Sequence, residues 1–440
     1  MAEFINTVDL LGDKECLGGL ISHTINEFND DVLTTLCQNA FYNNYVLKKM
    51  YLPSVETLST KSIYCCKRIK DIDLRGLQRV SSGETNAIYS LRSLTEISIP
   101  NVLNLNAGSF LYDTPIRYVE LPSYSTNTIA SPFSPEYGVS SLDVCNINKI
   151  YSGQFKSDYN LSSLILRSAA VATLDNISAF TGTPIAAGYG YIYVPSNLVT
   201  SYKTATNWST FADQIVSIDE YPKEFIGGTI TDTWTQIFAA EANGTYKTKY
   251  SIGDTKALNM NGACVLMQIV AFDEDDLADD SGKAKISWIS VGTIASMPPS
   301  FERNSITWET SDIRKYLQDT IYPTIENTVK NNIKTVHKIS RSAASGVTTT
   351  GITDDRLWIP SYYEVVGTSQ ENDGALYTEI FGNNTSDSRK IKNRGPCSTS
   401  TSVHWFTRTS IGNSLYYVKY NGDIYGANSS DQHVVLGFCT

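Results

Sequence analysis

Apolar residues in the first half of the chain recur in a fixed phase. A phenylalanine or isoleucine stands at Phe41, Ile63, Ile88, Phe110, Phe133 and Phe155. Eleven residues after each comes the last apolar position of an apolar-x-x-apolar-x-apolar run: Leu52, Leu74, Ile99, Leu121, Val144 and Leu166. A looser seventh copy sets Phe180 before Val194, so successive landmarks lie 22, 25, 22, 23, 22 and 25 residues apart. A period in this range predicts a solenoid, each repeat being one coil stacked on the last. The paired apolar residues that end each run, such as Met50 with Leu52 and Val119 with Leu121, predict one short strand per coil with both side chains inward. Pro53, Pro100 and Pro122 follow those strands and end them, because proline offers no ladder donor. Coils this short leave no room for a full helix, so the return path is expected to be turns that carry the Phe or Ile landmark into the core.

An open solenoid needs covered ends. Across residues 196–215, Leu198, Val199, Tyr202, Ala205, Trp208 and Phe211 fall near helical spacing and predict a capping helix. A degenerate first copy around residues 25–28 is expected to cover the other end. The phasing then stops, and residues 219–228, with Pro222 and a glycine pair, read as a linker. Three segments follow: 1–24 as a cap or attachment segment, 25–220 as the solenoid, and 228–440 as an α+β domain. In that domain the pattern predicts helices over 231–240 and 311–320 and another after Pro323, with apolar strands at 263–271 and 284–289. Ser361 and Glu364 form a capping box that starts a further helix. Near the end, residues 404–408, 416–418 and 434–439 read as strands, and Asn421-Gly422 is a strong hairpin signal.

The stretches NAFYNNYVLKKMYLPSV, SLTEISIPNV and YIYVPSNLVTSYKTATNWSTFADQI resemble BspA-type leucine-rich repeats and their terminal helix, as found in gut bacteria and their phages. That resemblance covers nearly all of residues 1–220 and implies surface recognition rather than catalysis. The order LWIPSYYEVVG, HWFTRTS, YYVKYNGDIY, VVLGFC resembles a domain of uncharacterised function common in gut phage and Firmicutes proteins. More distantly it is similar to the C-type-lectin-like fold of formylglycine-generating-enzyme relatives and variable receptor-binding proteins. The fold expected is therefore α+β, a short-period leucine-rich-repeat β-solenoid followed by a C-type-lectin-like domain.

Composition narrows the partners. The 440 residues carry a net charge of −10 with no basic stripe, which argues against a nucleic-acid partner. No run of about 18 apolar residues occurs, so no membrane insertion is expected. The first 19 residues do not read as a signal peptide. Eight scattered cysteines without a CxxC look like small buried hydrophobes from a reducing compartment rather than a disulfide frame or zinc site.

Candidate chemistry is sparse. Asp273, Asp275 and Asp276 form an acidic run that could hold calcium, but it lacks EF-hand spacing and reads better as a solvated loop. HExxH, GxSxG, Walker and Rossmann patterns are missing, so no enzyme activity and no cofactor are expected. Formylglycine-generating enzymes use a paired cysteine site, and Cys397 and Cys439 do not reproduce its motif. Residues 409–433 are the informative segment, where Ser410, Asn413, Tyr416, Tyr417, Tyr420, Asp423, Tyr425, Asn428, Asp431 and His433 give a paratope-like composition. Tyrosine supplies rigid amphipathic contact area while small polar residues adapt their hydrogen bonds. The same set is reached when asparagine codons change at adenine, as in retroelement-diversified targets that the resemblance brings to mind. An ordinary exposed hairpin rich in turn formers would read similarly. The expectation is a virion protein, a phage tail-associated receptor-binding adhesin made in the host cytoplasm. It would contact a bacterial surface glycan or protein through this hairpin and contact other tail proteins, with trimerisation possible. The alternatives are a bacterial surface or secreted adhesin and, more remotely, an enzyme of the formylglycine-generating type.

Overall fold

The computed structural model describes residues 25–80, 86–105, 110–124, 139–296, 307–344, 347–367, 377–393, 395, 402–411, 414–425 and 432–440. The chain divides into two units, Met1–Lys223 and Glu224–Thr440. Segment 1–24 and Phe133 lie outside the described residues.

In the first unit the solenoid phasing holds. Phe41, Ile63, Ile88, Phe110, Phe155 and Phe180 are buried, and so are the run ends Leu52, Leu74, Ile99, Leu121, Val144, Leu166 and Val194. Burial of each such side chain contributes roughly 1.5–3 kcal/mol, which explains why the spacing is kept. The expected strand appears at Glu27–Asn29, Lys49–Tyr51 and Asp71–Asp73, paired in parallel with Phe28, Met50 and Ile72 in register, whereas the run at residues 94–99 forms no strand and interrupts the ladder. The same side of later coils carries Tyr118–Glu120, Ser141–Asp143, Ser163–Ile165, Tyr191–Val194 and Ile215–Ser217, again all parallel.

The return path differs from expectation, because it too is built of strands. Thr35–Leu36, Thr57–Leu58, Arg79–Val80 and Asn104–Leu105 form a second parallel ladder, and Phe41–Tyr42, Ile63–Tyr64 and Ile88–Tyr89 a third. The physical reason is that backbone N–H and C=O groups beside a core need partners on every side of the coil, and the coil above supplies them. Two-residue strands are too short to show as periodicity. Corners on both sides of the third ladder use left-handed backbone at Asn39 and Asn43, Lys61 and Cys65, and Asn86 and Ser90. On this third face Tyr42, Tyr64, Tyr89 and Tyr112 stack at centroid distances of 4.9, 4.4 and 4.5 Å.

The predicted capping helix is broken into Ser196–Leu198, Val199–Thr204 and Trp208–Phe211, and the chain then adds the strand Ile215–Ser217 to the first ladder. The cap is pinned at one residue. The Ala172 N–H donates to Tyr202 Oη at 2.9 Å, and Trp208 Nε1 donates to the Ala172 carbonyl at 2.7 Å.

The second unit holds mixed sheets and few helices. One sheet runs Thr255–Met260, Ala263–Phe272, Ile286–Ser290, Gly437–Cys439, Leu357–Trp358, so the final strand sits between two earlier ones. The other centres on Ser402–Ile411, flanked by Val336–Ala344 with its hairpin partner Val347–Asp355, and by Gln432–Val434 and Ala295–Ser296. Trp234, Trp288, Trp308, Trp358 and Trp405 are fully buried in its core. The expected helices appear at Trp234–Ala242 and, as a short α turn running into a wider π turn, at Asp312–Tyr316 and Leu317–Ile321. The helix expected just after Pro323 is the four-residue Asn327–Lys330. The Ser361 capping box is present and starts the helix Tyr362–Val366.

The cysteines need one correction. Cys37 is disulfide-bonded, whereas Cys65, Cys66, Cys145, Cys264 and Cys439 are thiols.

Candidate functional site

The C-terminal hairpin is built by the strand Ser402–Ile411, which pairs antiparallel with Ser414–Val418. That strand in turn pairs with Ile424–Tyr425. Asn421-Gly422 makes the turn as its composition predicts. Gly422 N–H donates to the Lys419 carbonyl at 3.0 Å and Lys419 N–H to the Asp423 carbonyl at 2.7 Å. Gly422 has φ of 89°, and a Cβ there would collide with the Asp387 carbonyl, so glycine is required on both counts.

This register gathers an aromatic cluster. The His404 ring lies 5.4 Å from Tyr417 and 5.5 Å from Tyr420, nearly parallel to the latter, and Tyr425 meets Tyr417 edge-on at 6.0 Å. Tyr420 and Tyr425 are 58% and 50% exposed, while Tyr417 is buried beneath them. Lys419 Nζ sits 4.2 Å above the Tyr425 ring. Polar groups rim the cluster. Asp423 accepts from Ser386 Oγ at 2.5 Å and from Asn421 Nδ2 at 2.8 Å, and those two bonds hold its carboxyl below the usual range. The arrangement offers two exposed aromatic surfaces beside a fixed anion and amide, suited to a ligand with apolar patches and hydroxyls.

The structure distributes the sequence candidates unevenly. Tyr420, Asp423 and Tyr425 share the exposed face, with Tyr417 supporting it. Tyr416, adjacent in the strand, is half-buried and packs 4.7 Å from Tyr362. Ser410 and His433 are buried, so as placed they support the sheet rather than present a contact surface. Asn413, Asn428 and Asp431 lie outside the described residues. Sequence reasoning missed Lys419 and Ser386 as members of the cluster, named Asn421 within the segment and as its turn, and read His404 as a structural strand residue. His404 could have been found from strand pairing, but Ser386 comes from a segment with no signal.

The acidic run does not form a cation cage. Asp273 takes Lys247 at 2.6 Å, Asp276 takes Lys283 at 3.0 Å, and Asp275 turns inward to Lys338 at 2.5 Å. Each carboxylate is drawn to a different lysine. Among the described residues the grouping of suitable ligand atoms is Glu120, Asp143 and Cys145, where Arg167 already neutralises Asp143 at 2.7 Å.

Asp275 belongs to a buried polar network in the second unit. Lys338 Nζ reaches Asp275 Oδ1, Tyr377 Oη at 3.1 Å and Glu364 Oε1 at 3.2 Å, and it lies 3.5 Å over the Trp358 ring. Glu364 is held by Arg408 through two bonds of 2.5 and 2.9 Å. Burial alone would raise the Asp275 carboxyl, but Lys338 and the bonds from Lys338, Ser287 and Tyr377 hold it below its ordinary value. Cys439 Sγ adjoins Asp275, and burial pushes its thiol well up, the reverse of an activated cysteine.

The first unit is thus a parallel β-solenoid and the second a mixed α+β domain with an aromatic hairpin face. The N-terminal region carries BspA-type leucine-rich repeats: that family, the BspA type Leucine rich repeat region, matches residues 22–134 and 84–205 in six copies. A Domain of unknown function (DUF6273) matches residues 292–436. Neither is an enzyme family. No curated protein matches the chain.

Proposed function

We propose that the protein is a non-enzymatic adhesin that recognises a bacterial surface glycan through the hairpin face of its second unit. The observation that carries this reading is the exposed pair Tyr420 and Tyr425 over a packed His404–Tyr417 base, with Asp423 and Asn421 fixed alongside. Aromatic faces pack against the C–H surfaces of sugar rings while the carboxylate and amide accept and donate to hydroxyls. The BspA-type array supports the reading as a recognition-type companion unit, and the C-type-lectin-like resemblance of the second unit agrees with it. Within this proposal the protein is a phage tail-associated receptor-binding protein in the virion, contacting other tail proteins, and diversification by a retroelement would act on the same hairpin. A bacterial surface adhesin uses the same face and differs only in what anchors it. Neighbouring tail and lysis genes favour the former and anchoring genes the latter.

The test is binding of the full chain to an array of bacterial surface polysaccharides and to intact cells. Tyr420→Ala with Tyr425→Ala is expected to abolish retention without altering the melting profile, since both side chains are half exposed. Retention equal to the parent would place recognition elsewhere.

A further inference from the structure

We propose that Lys338 and Asp275 condense into an intramolecular amide, cross-linking the strand Val336–Ala344 to the segment that follows the strand Ala263–Phe272. The two groups are already in contact, with Nζ 2.5 Å from Oδ1 and side chains 1% and 3% exposed. Around them the other groups stand where the reaction needs them. Ser287 Oγ and Tyr377 Oη, the latter at 3.0 Å, both donate to Oδ2, leaving Oδ1 to face the amine. Glu364 Oε1 stands 3.2 Å from Nζ, and the Trp358 ring closes the side below it.

The step balances within the cluster. The ammonium and carboxylate together hold the atoms of one amide and one water. A proton passes from Nζ to Oδ1 along their contact, the neutral amine attacks Cγ of the resulting acid, Glu364 takes a second proton from the nitrogen, and negative charge gathers on Oδ2, where two hydroxyls donate to it. Oδ1 then leaves as water carrying two of the three ammonium protons, one of them returned by Glu364. One C–N bond forms, one C–O bond breaks, and nothing is oxidised or reduced. Two circumstances favour the amide. Fixed contact replaces a bimolecular encounter with an intramolecular one, and two charges that are costly to keep out of water become a neutral group. Glu364 afterwards retains its bidentate partner Arg408, so no charge is left uncompensated.

A purely structural ion-pair network would leave the chain's mass unchanged, which makes the distinction simple. The intact mass of the purified full chain, reduced and denatured, is expected to fall below the sequence mass by one water, about 18 Da. A tryptic digest should contain a branched peptide joining Asp275 to Lys338. Lys338→Arg, which keeps the cation, should restore the full mass. Glu364→Gln should leave the chain uncondensed, and a condensed Glu364→Gln chain would remove Glu364 from the proton relay. Parent protein of full sequence mass, with no branched peptide, overturns the proposal whatever the variants do.

Discussion

Asp158 carries a prediction that separates the repeat unit's pH response from that of the rest of the chain. Its side chain is 3% exposed, and neither carboxylate oxygen has a hydrogen-bond partner among the described residues. Burial pushes the carboxyl well above the usual value. The folded unit therefore holds a proton that the unfolded chain releases near pH 3.9. Because the folded-state pKa is raised, this group's contribution is greatest below the unfolded value. It declines as pH rises, until the folded-state value is passed. One proton corresponds to about 1.4 kcal/mol per pH unit. For a unit of this size, each kcal/mol moves the melting temperature by roughly 2–4 °C, so the slope is about 3–6 °C per pH unit. Asp158→Asn keeps the shape and cannot ionise. Its melting temperature should match the parent near pH 4 and exceed it increasingly above that. The assay is far-UV circular dichroism melting of the full chain from pH 4 to 7, with tryptophan fluorescence in parallel. Five of the six tryptophans lie in the second unit, so fluorescence assigns the transitions. The difference between variant and parent isolates Asp158 from other titrating groups. Parallel curves for the two proteins would refute the reasoning.

Leu121→Asp places a charge at a fully buried run end and should unfold the repeat unit at a cost of several kcal/mol. Cooperative melting of that unit in the variant would count against the coil assignment, and tryptophan fluorescence should change little. Trp208→Phe removes the 2.7 Å bond to the Ala172 carbonyl and should cost about 1–3 kcal/mol in the same transition. Gly437→Ala would put a Cβ 2.5 Å from Trp358 Cε3 between paired strands, so the second unit should lose roughly 1–3 kcal/mol in urea titration. An unchanged midpoint would show that the strands shift freely there.

The solenoid was legible because its core is periodic. One landmark and one paired run per coil, repeated six times, outweigh any local irregularity. The second and third ladders were not, since strands of two residues leave no alternation to read and their pairing is with the next coil rather than with sequence neighbours. Corners at Asn39, Asn43 and Asn86 carry the residue that tolerates left-handed backbone, whereas Lys61, Cys65 and Ser90 do not advertise it. The hairpin turn was written in Asn421-Gly422. The composition of residues 409–433 marked a candidate contact surface, but composition carries no facing. Tyr416 and Tyr417 are chemically identical and pack against different partners, and His433 is buried by a neighbouring strand. The acidic run, read as a solvated loop, is divided among Lys247, Lys283 and Lys338, and only the inward turn of Asp275 toward Lys338 had no local signal.

The three ladders have a mechanical consequence. Their hydrogen bonds all run along the stacking axis, so a pull along that axis loads them in tension, one coil at a time, rather than shearing a whole sheet at once. With Lys49 paired to Glu27 and Asp71 to Lys49, each coil that peels away would release on the order of 75 Å of chain. The unit should yield in a staircase of small, reversible steps, behaving under load as an extensible spring.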